Sequence, residues 1–339
     1  MLNLSDFDFD LPKSLIAQKP LRNRSESRLL KVSNNELKDK IFSEIVSEFE
    51  PGDVLIFNDT KVMNARMFGR KETGGKIEIL VEKIYSNKKI LANLKTSKAI
   101  KPGSKIILSD DLKLNVCEKK GELFILNSSL EPLSIIDRFG NLPLPPYINN
   151  NESKILKDKY QTVYAKNLGA IAAPTAGLHF DKSIINSLIK KGIQCHWLTL
   201  HIGSGTFKPV RCRNLFEHKL HSEKFFLPKI TSDAIEKAKS QGKKIIAVGT
   251  SCLRAIEASV KNGKLVSGEN ETDLFIKPGF EFQIVNRLLT NFHLPKSTLF
   301  VLVSTFAGHN QIKNAYRHAI LNNYRFYSFG DAMIIDLYS

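Results

Sequence analysis

No apolar run in this 339-residue sequence approaches the roughly 20 residues that a membrane-spanning helix needs, so no span is expected. The opening stretch, MLNLSDFDFDLP, is acidic and alternating and lacks the basic-then-apolar order of a signal peptide, which points to the cytoplasm. Cysteine is scarce. Cys117, Cys195, Cys212 and Cys252 are scattered and form no CxxC pair, so neither a disulfide framework nor structural zinc is expected. Glycine fingerprints are missing too: no GxGxxG follows the first strand and no Lys-Ser/Thr pair closes a phosphate loop. This argues against an ordinary dinucleotide enzyme and a P-loop kinase. Acidic residues are the last deficit, with 34 Asp and Glu against 50 Lys and Arg and a net charge of +16. That balance favours a polyanionic partner, nucleic acid first, although drift in base composition toward Lys codons explains the same excess without a partner.

What remains is the composition of an ordinary soluble globular protein, 42% hydrophobic and 25% charged, in a chain long enough for two domains. Residues 1–62 hold a short helix around Phe42–Phe49, a Pro51-Gly52 turn and a buried strand, Val54-Leu55-Ile56-Phe57. That strand ends in Asn58-Asp59-Thr60, where a strand of an α/β sheet presents its site. From 63 to 151 short alternating runs separated by Gly, Asn, Asp and Pro predict a small antiparallel sandwich or barrel, closed by a helix over Pro132–Phe139. Asn149 to Ser153 reads as a linker. Residues 152–339 alternate helix and strand. A helix capped by Asp181 stops at Gly192, another begins at Thr231 or Ser232, and strands are expected at Ile193–Leu200, Ile245–Val248 and Ala332–Leu337. Such alternation predicts an α/β fold, a mostly parallel sheet with flanking helices, interrupted by the β-rich insertion.

Chemistry-bearing residues gather in loops. Thr175 and His179 lie in Ala172-Ala173-Pro174-Thr175-Ala176-Gly177-Leu178-His179, before a helix; His201, Gly203 and Gly205 lie in His201-Ile202-Gly203-Ser204-Gly205-Thr206, after a strand. Small residues allow close backbone approach to a ligand, so the two loops read as the lips of a cleft; the bland alternative is a turn that needs two glycines. Thr250 opens a helix whose N–H groups suit an anion, with Arg254 as a bidentate clamp for a carboxylate, or else Thr250 is only an N-cap. Cys252, without a neighbouring base, reads as packing. His218 and His221 are spaced for one helix face, but no third ligand stands out and no metal is expected. His293, beside Pro295, is either structural or poised for acid–base work, and Asp331 closes an aromatic stretch, Tyr324 to Gly330, able to stack on a base.

Taken together, FNDTKVMNARMFGRKETGGKIEILVE, LPLPPYI, YQTVYAKNLGAIAAPTAGLHF, TLHIGSGTFKPVR, HKLHSE, AVGTSCLRAIE, TNFHLPKSTLFVLVSTFAG and YRFYSFGDAM resemble the S-adenosylmethionine:tRNA ribosyltransferase-isomerase family of queuosine biosynthesis over nearly the whole chain. The sequence departs from the family pattern at Asn64, where Pro is usual, and at Cys252, where Ser or Thr is expected. The resemblance implies an α/β domain (1–62 and 152–339) interrupted by a β-barrel (63–151). It also implies an activity: transfer and isomerisation of the ribosyl part of S-adenosylmethionine onto 7-aminomethyl-7-deazaguanine (preQ1) at the tRNA wobble position. The products are epoxyqueuosine, adenine and methionine, with S-adenosylmethionine as co-substrate, no resident cofactor, and a monomeric enzyme. Toward that reaction His179, His201 and His293 are the expected acid–base residues, with His221 in reserve. Thr250 and Arg254 are expected at the methionine carboxylate, Thr175, Gly203 and Gly205 along the cleft, and Asp331 at the methionine amine or ribose hydroxyls. Arg66, Arg70, Lys76 and Arg211 are expected at RNA phosphates. A tRNA methyltransferase using the same co-substrate and a non-catalytic RNA-binding protein are the rival readings; the missing glycine fingerprints disfavour the first and the loop-clustered His, Thr and Gly the second.

Overall fold

The computed structural model describes residues 3–33, 36–86, 88–145, 147–148, 156, 158–207, 214–218 and 220–338. The chain divides into two compact units, one of Met1–Thr60, Tyr147–Asn167 and Ala173–Ser339 and one of Lys61–Pro146 and Leu168–Ala172. The expected linker from Asn149 to Ser153 lies outside the described residues.

The first unit is built on a nine-stranded sheet in the order Gly268–Thr272, Glu223–Leu227, Gln194–Leu200, Val54–Asn58, Ile245–Val248, Arg287–Asn291, Ala332–Asp336, Arg28–Ser33, Glu36–Ile41. Its central strands, Val54–Asn58, Ile245–Val248 and Arg287–Asn291, are buried at every position, as strands covered on both faces must be. One face packs Leu55, Phe57, Ile246, Val248 and Leu289 against Phe42, Phe180, Ile184 and Leu188. The helix Lys182–Lys190 starts where Asp181 accepts from the Ile184 N–H at 2.8 Å, satisfying one of the donors a helix start leaves free.

The sheet is mixed, not mostly parallel. Gln194–Leu200 with Val54–Asn58, Val54–Asn58 with Ile245–Val248, Ile245–Val248 with Arg287–Asn291, and Ala332–Asp336 with Arg28–Ser33 run parallel. The other four neighbouring pairs run antiparallel. Two of these antiparallel pairs involve the edge strands, and a third, Arg287–Asn291 with Ala332–Asp336, lies inside the sheet. ELKDKI (Glu36–Ile41) and GENET (Gly268–Thr272) are half-exposed strands without an apolar stripe, so by composition they look like loops.

The second unit holds a closed six-stranded barrel in the order Leu123–Ser128, Lys89–Thr96, Lys76–Ser86, Arg66–Lys71, Lys105–Ser109, Leu112–Lys120, with every neighbouring pair antiparallel. Alternate residues, among them Met67, Ile77, Ile79, Val81, Ala92, Ile106, Leu114 and Leu126, fill it, and Ile135 and Ile136 of the helix Pro132–Phe139 join that core. Closure leaves no free strand edge. Among the described residues no helix is long and apolar enough to cross a membrane.

Candidate active site at the carboxyl edge of the sheet

The parallel registers put the carboxyl ends of Val54–Asn58, Gln194–Leu200, Ile245–Val248 and Arg287–Asn291 along one edge of the sheet, where open α/β sheets bind ligands. Because Asn291 pairs with Ala332, and Ala332 with Leu29, the starts of Ala332–Asp336 and Arg28–Ser33 share that edge.

At its centre stands Asn58, fully buried. Its Oδ1 accepts from the N–H groups of Leu200 (3.0 Å) and Thr60 (3.1 Å), and its Nδ2 donates to the Leu200 carbonyl (3.0 Å) and Ser251 Oγ (3.2 Å). One amide thus ties the ends of Val54–Asn58 and Gln194–Leu200 to the start of the helix Thr250–Ala258. Beyond it Asp59 accepts from Thr199 Oγ1 (2.6 Å) and Asn167 Nδ2 (3.1 Å), and Thr60 Oγ1 lies 2.8 Å from His201 Nδ1. With the Thr60 hydroxyl donating to the Asn167 carbonyl at 3.4 Å, it accepts from His201 Nδ1–H, which leaves the lone pair on Nε2. His201 is half-buried; burial lowers its pKa, Asp59 opposes that and Lys224 adds to it, so the ring is neutral near pH 7.

Arg254 is committed at two of its three guanidinium nitrogens, with Nη2 left without a partner among the described residues. Its Nη1 donates to Glu223 Oε2 in a tight ion pair, its Nε donates to the Leu274 carbonyl at 2.9 Å, and both side chains of the pair are only 9% exposed. Glu223 Oε1 accepts the Gly203 N–H at 2.9 Å, so the arginine supports the Gly203 loop from beneath. Ser204–Phe207 then forms a 3-10 turn, and a side chain at Gly205 would come within 3.3 Å of His221. The helix Thr250–Ala258 begins after Gly249, whose φ of +96° suits glycine. A Cβ on Gly249 would lie 3.6 Å from that of Ala176, so the 3-10 turn Thr175–His179 abuts the start of this helix. Thr175, Thr250, Gly203 and His201 are therefore brought to the same edge. Cys252 is wholly buried and burial pushes its thiol far up, consistent with packing.

His179 is buried beside them but fully engaged. Nδ1 lies 2.7 Å from Ser27 Oγ, Nε2 lies 3.1 Å from Asn291 Nδ2, and the ring stacks on Phe42 at 5.0 Å. Burial, with the Arg24 and Arg325 guanidinium groups, pushes its pKa down to about 3. Asn291 also donates to the Tyr327 carbonyl at 3.1 Å, and Tyr327 holds φ at +76°, a conformation that costs a non-glycine residue about 1 kcal/mol or more. Beside His179, Arg24, Lys159 and Ser328 line a cavity of about 30 Å³, room for ordered water.

Two expected residues take structural positions instead. His293 Nε2 bonds Thr290 Oγ1 at 3.0 Å, the His293 backbone N–H donates to Tyr316 Oη at 2.9 Å, and burial pushes the imidazole pKa down to about 3. Thr290 and Asn291 are consecutive in one strand, so their side chains point to opposite faces. The sheet therefore separates His293 from His179. Asp331, 1% exposed, accepts the N–H groups of Arg28 (2.9 Å) and Arg325 (2.8 Å), and burial raises its pKa. It staples the turn from Arg325 to Asp331, where a side chain on Gly330 would strike the Arg325 carbonyl at 2.4 Å. Each carboxylate oxygen thus already accepts one backbone N–H.

In the barrel Arg66 Nε lies 3.1 Å from Glu78 Oε1 and its Nη2 donates to the Leu144 carbonyl, so its charge is already neutralised. Arg70 and Lys76 are exposed and make no ion pair among the described residues. Arg211 lies outside the described residues. Among the described residues no group of three His, Cys, Asp or Glu is placed to hold a metal ion; His218 packs edge-on against Phe275 at 5.6 Å.

Comparison with known proteins decides the family, since the model described as queuosine biosynthesis protein matches residues 4–335. The chain belongs to that family. Within it, the S-adenosylmethionine:tRNA ribosyltransferase-isomerase of Herminiimonas arsenicoxydans is 50% identical over 335 residues, covering 99% of this chain and 98% of the relative. That of Azoarcus sp. (strain BH72) is 47% identical over 336 residues, 98% and 97% of the two chains. The crystal structure of an S-adenosylmethionine tRNA ribosyltransferase from Thermotoga maritima superposes with a TM-score of 0.57 at 32% identity, covering 97% of this chain and 99% of that one. Sequence reasoning missed the residues that organise the edge in this family member: Ser27, Asn291 as the partner of His179, and Glu223. Each acts across a long separation, 152 residues for Ser27 and His179, and no local spacing marks such a pair.

Proposed function

We infer that the protein is an S-adenosylmethionine:tRNA ribosyltransferase-isomerase. It moves the ribosyl part of S-adenosylmethionine onto preQ1 at the tRNA wobble position and isomerises it to the epoxycyclopentane-diol of epoxyqueuosine, releasing adenine and methionine. The observation that carries this reading is the family match over residues 4–335, together with relatives near half identity over almost their full length. S-adenosylmethionine is consumed as co-substrate with no resident cofactor, and the enzyme works as a monomer in the cytoplasm.

The geometry supports a division of labour. The sulfonium acidifies the adjacent C–H, and a neutral imidazole with a free lone pair is the base that chemistry requires. Of the three expected histidines, His179 and His293 have Nε2 held by protein groups, whereas His201 has Nε2 without a partner among the described residues. His201 is therefore the proton acceptor, and its protonated form is the acid at hand when adenine leaves. Thr60 holds its tautomer. The methionine carboxylate is assigned to the start of the helix Thr250–Ala258, where backbone N–H groups and the helix dipole favour an anion. Arg254 and Glu223 hold the facing Gly203 loop.

The test uses two labels. Label on the ribose carbons of S-adenosylmethionine is expected in tRNA, and label on the methyl group in released methionine. Methyl label in tRNA overturns the reading in favour of a methyltransferase, and label in neither leaves only an RNA-binding protein.

A further inference from the structure

The outer face of the barrel carries an aromatic ring that packing does not explain. On the strand Arg66–Lys71, Met67 points into the core and is fully buried, while Phe68 points outward and is 56% exposed. Alternation places Arg66, Phe68 and Arg70 on one outer face. The antiparallel partner strand sets Glu78 opposite Phe68 and Lys76 opposite Arg70. Glu78 is taken up by Arg66, so the acid nearest the ring is neutralised. Arg70 and Lys76 are exposed and without an ion pair among the described residues, and the other acid nearby, Glu72, lies in the turn between the two strands. An exposed ring next to two unpaired cations suits a base with its phosphates better than an apolar protein surface.

We propose that Phe68 is a stacking platform for an unpaired base of the RNA substrate, with Arg70 and Lys76 holding phosphates next to that base. The proposal rests on tRNA being the substrate, and it adds the place on the barrel that grips it. A flat π-face tolerates any base, so the platform contributes affinity and leaves sequence choice to other contacts.

The experiment measures tRNA affinity at fixed salt, its salt slope, and single-turnover ribosyl transfer. The proteins compared are the full-length protein and its Phe68→Ala, Phe68→Leu, Phe68→Trp and Arg70→Gln/Lys76→Gln variants. Phe68→Ala is expected to weaken tRNA binding roughly 5- to 150-fold, the range for a base that loses its aromatic partner. Phe68→Leu, which keeps apolar bulk without a π-face, should fall with it, and Phe68→Trp should stay within about threefold of wild type. The loss should appear in KM for tRNA with kcat unchanged. Removing both cations should flatten the log–log salt slope by about 1.4–1.8. Because the ring is exposed, all Phe68 variants should keep the wild-type circular dichroism spectrum, and Leu and Trp serve if Ala does not. Wild-type affinity in both Ala and Leu, or full affinity in Leu alone, overturns the platform; an unchanged salt slope overturns the phosphate contacts. A wild type that binds tRNA through Phe68 yet transfers no ribose sinks the assigned reaction and leaves the platform standing. Ribosyl transfer at wild-type tRNA affinity in Ala and Leu sinks the platform alone, and a wild type that binds no tRNA sinks both.

Discussion

Replacing Glu223 by alanine should unfold the α/β unit far more easily than its place near a sheet edge suggests. The carboxylate sits in a dry setting, 9% exposed, where it neutralises Arg254 and accepts the Gly203 N–H at 2.9 Å. Removing one partner of a buried pair strands the other charge, at a cost of about 3–5 kcal/mol, and the orphaned amide falls within that range rather than adding fully to it. Replacing both partners with apolar residues, Glu223→Leu with Arg254→Met, strands no charge and should leave mainly the Gly203 amide, a loss of about 1–3 kcal/mol. Glu223→Leu and Arg254→Met, each made alone, should cost about as much as Glu223→Ala and should thus be coupled by at least about 2 kcal/mol. Trp197, the only tryptophan, lies in the neighbouring strand Gln194–Leu200, so its fluorescence during urea unfolding reports this unit alone. With a slope near 2–3 kcal/mol/M, the Glu223→Ala midpoint should drop by about 1–2.5 M. A loss under about 1 kcal/mol in the single variants, or additivity in the double, would refute the buried pair and return Arg254 to the role of substrate clamp.

His201→Ala should lower kcat about 100- to 10,000-fold with tRNA affinity unchanged, as expected for a lost acid–base group; a variant within tenfold of wild type removes His201 from the mechanism. His293→Ala should destabilise the unit by about 2–4 kcal/mol, since it empties a buried site and orphans Thr290, while single-turnover activity per folded molecule stays close to wild type. A stable but inactive His293→Ala would contradict that placement. His179 and His293 are both held near pKa 3 by burial, below their unfolded value of about 6.5, so their stabilising contribution is complete above pH 6.5 and is lost as pH falls toward 3. Each should add about 1.4 kcal/mol per pH unit to the acid-side slope of stability, and an unaltered slope in His293→Gln would argue that this ring is not buried neutral. Cys252→Ser should keep most activity in the ribosyl-transfer assay, because no base contacts the buried thiol; a loss beyond about a hundredfold in a folded variant, ~2.7 kcal/mol of barrier, would mark it as a nucleophile.

The sequence by itself determined the elements whose signals are local. The apolar run at Val54 to Phe57, the Asp181 cap with its Gly192 stop, and the short alternating strands of the barrel all follow from side-chain periodicity and turn chemistry. The loops at Thr175, His201 and Thr250 were legible as a candidate site for the same reason: small residues and histidine next to buried strands. Tertiary structure alone decided which strands pair and in which direction: the polar edge strands Glu36–Ile41 and Gly268–Thr272, together with the interior pair of Arg287–Asn291 and Ala332–Asp336, made the sheet mixed. It alone decided the partners of the charged and ionisable groups. Arg254 and Asp331 read as ligand contacts until folding brought Glu223 to the one and the Arg28 and Arg325 amides to the other. His179 and His293 looked equivalent to His201 until consecutive residues of one strand sent them to opposite faces. Periodicity is a property of neighbours in the chain, whereas the desolvation and hydrogen bonding that fix a side chain's role come also from residues 20 to 300 positions away.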